Sequence, residues 1–290
     1  IRYKQIEKWL STFVDKMKEE AYENNILHPK FSQTNVVTGR LSCSDPNFQN
    51  IPRGDKLPIK RVIQSRFDNG EIIEMDFAQL EFRVAAFLSQ DSQAMQDILE
   101  GVDVHQNTAN VIGCSRQDAK AHTFKPLYGG MSGTDEEKKY YSYFRKRYKG
   151  ITSWQETTED TAIATSFVTL PSGRQYYFEG IRRASWGGSN FYTQVRNYPV
   201  QGFATGDIVP AACIDIYKQM KGMRTRLINT VHDSIIIDAH PGEVDSVLKK
   251  LKKACDGITQ SINQRYNIDF NVPLDYEIKK GHNWLDLKRI

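Results

Sequence analysis

The sequence holds little cysteine and no long apolar run. Its four cysteines, Cys43, Cys114, Cys213 and Cys255, are scattered through 290 residues. None forms a C-x-x-C pair and none stands beside histidines at zinc-finger spacing, which argues against a disulfide scaffold or structural zinc module and for four reduced thiols. No stretch approaches the roughly 20 apolar residues of a membrane-spanning helix. No membrane partner is therefore expected, and the expected location is cytoplasmic. The chain opens Ile1-Arg2-Tyr3-Lys4, without an initiator Met or the charged-then-apolar pattern of a secretory signal, as expected of a piece of a longer protein. Internal repeats and low-complexity tracts are also missing.

What is present is ordinary in bulk. Hydrophobic residues make up 39% and charged residues 26%, the composition of a globular chain long enough to bury a core. A net charge of +4 suits a polyanionic partner without demonstrating one, so function has to be read from particular residues.

Periodicity predicts a helix over 3–24, where Ile6, Leu10, Phe13, Val14 and Met17 recur at three- and four-residue steps. A long irregular stretch follows, from His28 to about Pro58, of a length that usually carries function. Residues 71–77 alternate as a strand and run into a helical stripe over 79–88. Helical patterns cover 92–111, 116–127, 136–163, 190–220 and 243–266, the fourth interrupted near Pro199 and Pro210. Residues 167–170 and 175–178 read as strand, turn, strand. Residues 227–231 and 235–239 flank His232-Asp233-Ser234 as a tight hairpin, and 272–278 is a last strand. The Lys249, Lys250, Lys252 and Lys253 cluster reads as the solvated face of its helix.

Asp76 and Asp233 each sit at the boundary of an apolar strand. A carboxylate in such surroundings needs a partner, although a turn or cap role would also explain either one alone. Arg116, Lys120, Phe124 and Tyr128 recur every four residues and lead into Gly129-Gly130. They form a slowly winding stripe on one side of a helix. Two cations followed by two aromatics can hold a triphosphate at one end and a base at the other.

Six motifs in order now resemble one family. Thr38-Gly39-Arg40-Leu41-Ser42 with Asp45-Pro46-Asn47-Phe48-Gln49-Asn50-Ile51-Pro52 resembles the primer-template segment of the DNA polymerase I family, family A. Asp76 to Arg83 resembles its first metal motif, and Gly101-Val102-Asp103-Val104-His105 the stretch leading into its fingers. Arg116…Lys120…Phe124…Tyr128-Gly129 resembles its nucleotide-binding helix. Asn197-Tyr198-Pro199-Val200-Gln201-Gly202 resembles a template-contacting segment, and Val231-His232-Asp233-Ser234 its second metal motif.

The resemblance implies an α/β fold in the broad, α+β sense: a palm with an antiparallel sheet, an inserted helical fingers subdomain, and most of the thumb outside this chain. It implies a thumb–palm connection over 1–30, palm over 31–90 and 191–290, and fingers over 91–190. Asp76, Asp233 and the Phe77 carbonyl would bind two Mg²⁺ ions, with Mn²⁺ as a substitute. Arg116 and Lys120 would grip the incoming triphosphate, and Lys120 or His105 would protonate pyrophosphate. Phe124 would pack on the sugar or base and Tyr128 would guard the template position. Glu81, beside Gln79 in the nucleotide site, would exclude a 2′-hydroxyl and pair with a tyrosine such as Tyr128. Arg40, Asn47, Gln49, Asn50, Asn197, Gln201 and His232 would lie along the duplex. The implied partners are primer-template DNA and dNTPs, with upstream thumb or exonuclease domains or a processivity factor.

Three departures stand out. Ser234 occupies a position where the family usually carries Glu, as in some phage members, which points to a bacteriophage origin and the host cytoplasm. Pro126 predicts a kink or helix end before Tyr128, because proline lacks the donor and clashes with the carbonyl of His122. The fingers between Gly133 and Gly150 are short. A single-subunit RNA polymerase and a silent DNA-binding module are the rival readings; Glu81 and the 38–52 segment argue against the first.

Overall fold

The computed structural model describes residues 2–21, 25–52 and 57–290, apart from the side chains of Arg2, Lys120 and Ala121. The chain divides into two compact units. The first comprises 1–78, 208–258 and 275–290, and the second 79–207 and 259–274. Among the described residues no helix is long and apolar enough to cross a membrane.

The first unit is built on a five-stranded antiparallel sheet, with a separate two-stranded pair earlier in the chain. In chain order its strands are β1 (Lys30–Ser32), β2 (Ser42–Ser44), β3 (Glu71–Phe77), β4 (Arg226–Val231), β5 (Ser234–Ala239), β6 (Tyr276–Gly281) and β7 (Lys288–Arg289). The sheet order is β4-β5-β3-β6-β7, while β1 and β2 pair by themselves. Alternation along β3 explains its central position. Ile73 and Met75 point to one face with Ile235 and Ile237 of β5, and all four are fully buried. Burying each such side chain contributes about 1.5–3 kcal/mol. On the opposite face Ile72 and Ile236 pack with Phe48, Ile63, Trp284 and, from the first helical segment, Phe13 and Met17. Further along that face, where β3 carries Glu74 and Asp76, the side chains are polar.

The second unit is mainly helical, with one short hairpin, Phe167–Thr169 paired to Gln175–Tyr177. Helix Leu80–Ser89 buries Leu80, Phe82, Val84 and Ala85, with Phe82 edge-on to Tyr148 and Phe87 against Phe270. The molecule is thus a mixture of helices and antiparallel sheet, as expected.

Several predicted helices are shorter than their periodicity. Residues 92–111 split into Ser92–Leu99 and Val104–Ile112 because Asp103 caps a new helix, accepting from the amides of His105 and Gln106. Residues 136–163 split at Tyr148, and 243–266 at Gly257. The 3–24 helix contains a π-helical turn over Leu10–Asp15. In 190–220 the irregularity is a π-helical turn, Gly202–Ile208, rather than a break at either proline. Pro199 lies inside a helix, and Pro210 in a first turn where its missing donor is harmless. The last strand begins at Tyr276, four residues later than predicted, where its side chains enter register with β3.

Candidate active site

In the first unit the structure brings Asp76 and Asp233 together. Asp76 lies near the end of central strand β3, opposite Ser234 on one side and Glu277 on the other. Asp233 occupies the two-residue turn that joins β4 to β5, closed by the pair Val231–Ser234. Such turns need a positive φ; His232 supplies it at φ 56°, in a region His tolerates better than most residues. The Phe77 amide donates to the Asp233 carbonyl at 3.2 Å, tying the turn to the strand, while the Phe77 side chain is buried.

Burial, then the Asp233 carboxylate and Glu74, push the Asp76 carboxyl up to about 7, with Lys279 pulling the other way. Acidic groups crowded on a half-buried face, opposed by one lysine, are what a divalent cation relieves. Among the described residues no three His, Cys, Asp or Glu side chains enclose an ion. An open carboxylate pair is nevertheless the arrangement that suits Mg²⁺, which keeps water and shares its shell with substrate phosphates. The residues present therefore fit such a metal. Glu74, Glu277 and Lys279 were not singled out in the sequence, yet the alternation of Tyr276-Glu277-Ile278-Lys279 puts Glu277 and Lys279 on one face once the pairing partner is known.

Ser234 is buried, and its hydroxyl donates to the Val231 carbonyl at 3.0 Å. It therefore pins the turn that carries Asp233. Ser234→Ala is expected to cost about 1 kcal/mol of stability, measured by urea denaturation.

The 28–52 segment of the same unit holds most of the expected duplex contacts. Asn47 accepts from the Gln49 amide at 3.1 Å, capping a short 3₁₀ turn, and the Gln49 side chain donates to the Thr230 carbonyl at 3.0 Å. Asn50 and His232 are exposed, and Arg40 is half-buried.

In the second unit the α-helix of the cation–aromatic stripe runs only from Arg116 to Thr123, and Pro126–Tyr128 forms a 3₁₀ turn, as proline predicts. Ser115 caps this helix through the Asp118 amide. The Arg116 guanidinium pairs with Asp103 at 2.6 Å. Against the cost of burial, Arg116 and two helix amides hold the Asp103 carboxyl below the ordinary range. Lys120 lies in the same helix, and its side chain falls outside the described residues. His105 is hydrogen-bonded through Nδ1 to the Thr123 hydroxyl at 3.0 Å, and its ring meets Phe124 edge-on at 5.2 Å. Arg116, His105 and Phe124 are thus gathered around two adjoining helices, Val104–Ile112 and Arg116–Thr123.

Gln79 takes a left-handed conformation, φ 53°, just before helix Leu80–Ser89. In the first turn of that helix, Glu81 accepts a hydrogen bond from the Tyr128 hydroxyl, the pairing expected from sequence. Asn197 and Gln201 lie on helix Tyr192–Gln201, both half-buried.

Comparison with known proteins gives these features a context. DNA polymerase I, thermostable, from Thermus aquaticus is 27% identical over 317 aligned positions, covering 99% of this chain and 36% of that protein. DNA polymerase I from Bacillus subtilis (strain 168) is 28% identical, covering 99% of this chain and 34% of that one. The chain thus spans about a third of the length of these relatives. Among solved structures, the POL domain of Pol1 from M. smegmatis, in complex with DNA primer-template and dNTP, superposes with a TM-score of 0.79 at 23% identity. It covers 98% of this chain and 52% of that one. The family described as DNA polymerase family A matches residues 1–286, and with nearly the whole sequence accounted for this chain belongs to it.

Proposed function

We propose that the chain is the primer-extending core of a DNA-directed DNA polymerase, adding dNTPs to a primer 3′-hydroxyl with release of pyrophosphate. The observation that carries this reading is the meeting of Asp76 and Asp233 at one end of an antiparallel sheet, from a central strand and a hairpin turn. The relatives named DNA polymerase I and the likeness to a structure holding primer-template and dNTP support the same reading.

Two divalent ions, Mg²⁺ with Mn²⁺ as a substitute, would be held by Asp76, Asp233 and the Phe77 carbonyl, and would supply activation of the 3′-hydroxyl and neutralisation of the pyrophosphate charge. The protein residues bind and orient. Arg116 and Lys120 take the triphosphate; the Arg116 fork exchanges Asp103 for phosphate oxygens of similar charge. His105, oriented by Thr123, or Lys120 hands a proton to the departing pyrophosphate. Phe124 packs on sugar or base. Arg40, Asn47, Gln49, Asn50, Asn197, Gln201 and His232 follow the duplex, and minor-groove acceptors that look alike in every base pair let such contacts test pair shape without reading sequence.

Glu81 excludes the ribose 2′-hydroxyl, and its hydrogen bond with Tyr128 keeps the carboxylate in place. Glu81→Ala is expected to raise ribonucleotide incorporation by at least about tenfold, measured as the ratio of kcat/KM for dNTP and rNTP. An unchanged ratio removes Glu81 from this role.

The test of the whole reading is extension of a labelled primer-template with Mg²⁺ and dNTPs. Templated, metal-dependent addition is expected. Salt-sensitive DNA binding with no addition at all would favour a silent module instead.

A further inference from the structure

The turn that carries Tyr128 is held from below by a side chain that no sequence motif marks. Pro126 ends the helix, so the chain reaches Tyr128 through a 3₁₀ turn, in which the Pro126 carbonyl accepts from the Gly129 amide at 3.0 Å. Leu127 is fully buried, and a buried carbonyl without a partner is costly. Gln155, on helix Lys149–Thr165, fills this need: its side-chain amide donates to the Leu127 carbonyl at 2.6 Å and to that of Pro126 at 3.2 Å. Gln155 is 3% exposed.

The Leu127 carbonyl and the Tyr128 amide belong to one rigid peptide plane. Gln155 holds one edge of that plane, and the Lys125 carbonyl, accepting from the Tyr128 amide at 3.2 Å, holds the other. The direction of the Gln155 amide is itself set. Arg196, which has only donors, meets Gln155 Oε1 at 3.4 Å, leaving Nε2 to face the carbonyls. Arg196 is fixed in turn by Glu159 at 2.7 Å and by the Tyr192 ring at 3.9 Å. Gly129, at φ 79°, completes the fit: a Cβ there would come within 2.7 Å of Arg196 Cδ.

We propose that Gln155 is a positioning residue for Tyr128, and through the Tyr128–Glu81 hydrogen bond for the exclusion of ribonucleotides. The functional half of this inference rests on the polymerase reading; the positioning half does not. The Gln155 side chain here supplies a donor to the Leu127 carbonyl where the regular helical hydrogen bonding has ended.

The test uses Gln155→Met, near in size and without a donor, with Gln155→Glu as a second variant that keeps shape but offers acceptors. Hydrogen exchange at the amides of Tyr128, Gly129 and Gly130 is expected to rise about tenfold in both, with protection of helix 149–165 unchanged. The dNTP/rNTP ratio of kcat/KM is expected to fall roughly five- to tenfold. In a Tyr128→Phe background Gln155→Met should leave the ratio where Tyr128→Phe put it, which a merely structural role would not produce. Unchanged exchange at 128–130 overturns the proposal. Raised exchange with an unchanged ratio overturns the part in selection. If the wild-type chain extends no primer, the polymerase reading fails, while the exchange experiment still decides whether Gln155 holds Tyr128.

Discussion

Asp233→Ala is expected to reduce templated primer extension at least about a thousandfold, and Asp76→Ala to do the same. The two side chains reach one spot by unrelated routes. Asp76 comes from the middle strand of the sheet, and Asp233 from a turn that the Phe77 amide ties to that strand. Neither can substitute for the other, because their backbones leave the spot in different directions. Removing either leaves the sheet intact: the turn is still closed by the Ser234 hydroxyl on Val231, and β3 still pairs along six positions with β5. Affinity for primer-template should therefore change little, since contacts to phosphates dominate it. The decisive comparison is single-turnover extension beside DNA binding at one salt concentration. Near-normal extension by Asp233→Ala would refute the assignment, whatever the family likeness.

Glu159→Leu is expected to destabilise the protein by about 3–5 kcal/mol, the cost of leaving a buried charge uncompensated. The side chains of Glu159 and Arg196 are 4% and 7% exposed and meet at 2.7 Å. The arginine cannot shed its proton in response. Its remaining partners, the Tyr192 hydroxyl at 3.1 Å and Gln155 at 3.4 Å, are neutral. The Ser189 amide also loses its acceptor on Glu159. Replacing both members, Glu159→Leu with Arg196→Met, is expected to recover most of the loss, because an apolar pair avoids the desolvation that the ion pair incurs. Urea denaturation of the three variants measures this. A loss under about 1 kcal/mol for the single change would mean that water reaches the arginine.

Much of the local structure was legible in the sequence. The alternation Ile72-Ile73-Glu74-Met75-Asp76 announced a strand, and the apolar runs around His232-Asp233 announced a hairpin, because a strand's faces follow from its own period of two. The end of the helix before Tyr128 followed from the chemistry of Pro126 alone. Motif order pointed to both aspartates and to the cation–aromatic stripe.

Helix ends were less legible where a cap intervened, as at Asp103, since periodicity continues through a break that a single side chain creates. The last strand was misplaced at 272–278 because nothing local distinguishes Val272 from Ile278; pairing with β3, some 200 positions earlier, chooses Tyr276–Gly281. Apart from the Glu81–Tyr128 pair, the partners of polar groups were beyond reach. The exposed Arg116 meets Asp103, while in the interior Glu159 meets Arg196 and Gln155 meets two carbonyls 28 and 29 positions away. Sequence by itself thus determined most of the elements and the candidate chemistry, which depend on near neighbours along the chain. Only the tertiary structure decided register and polar partnership, because both depend on which distant segments are buried together, away from water that would otherwise satisfy them.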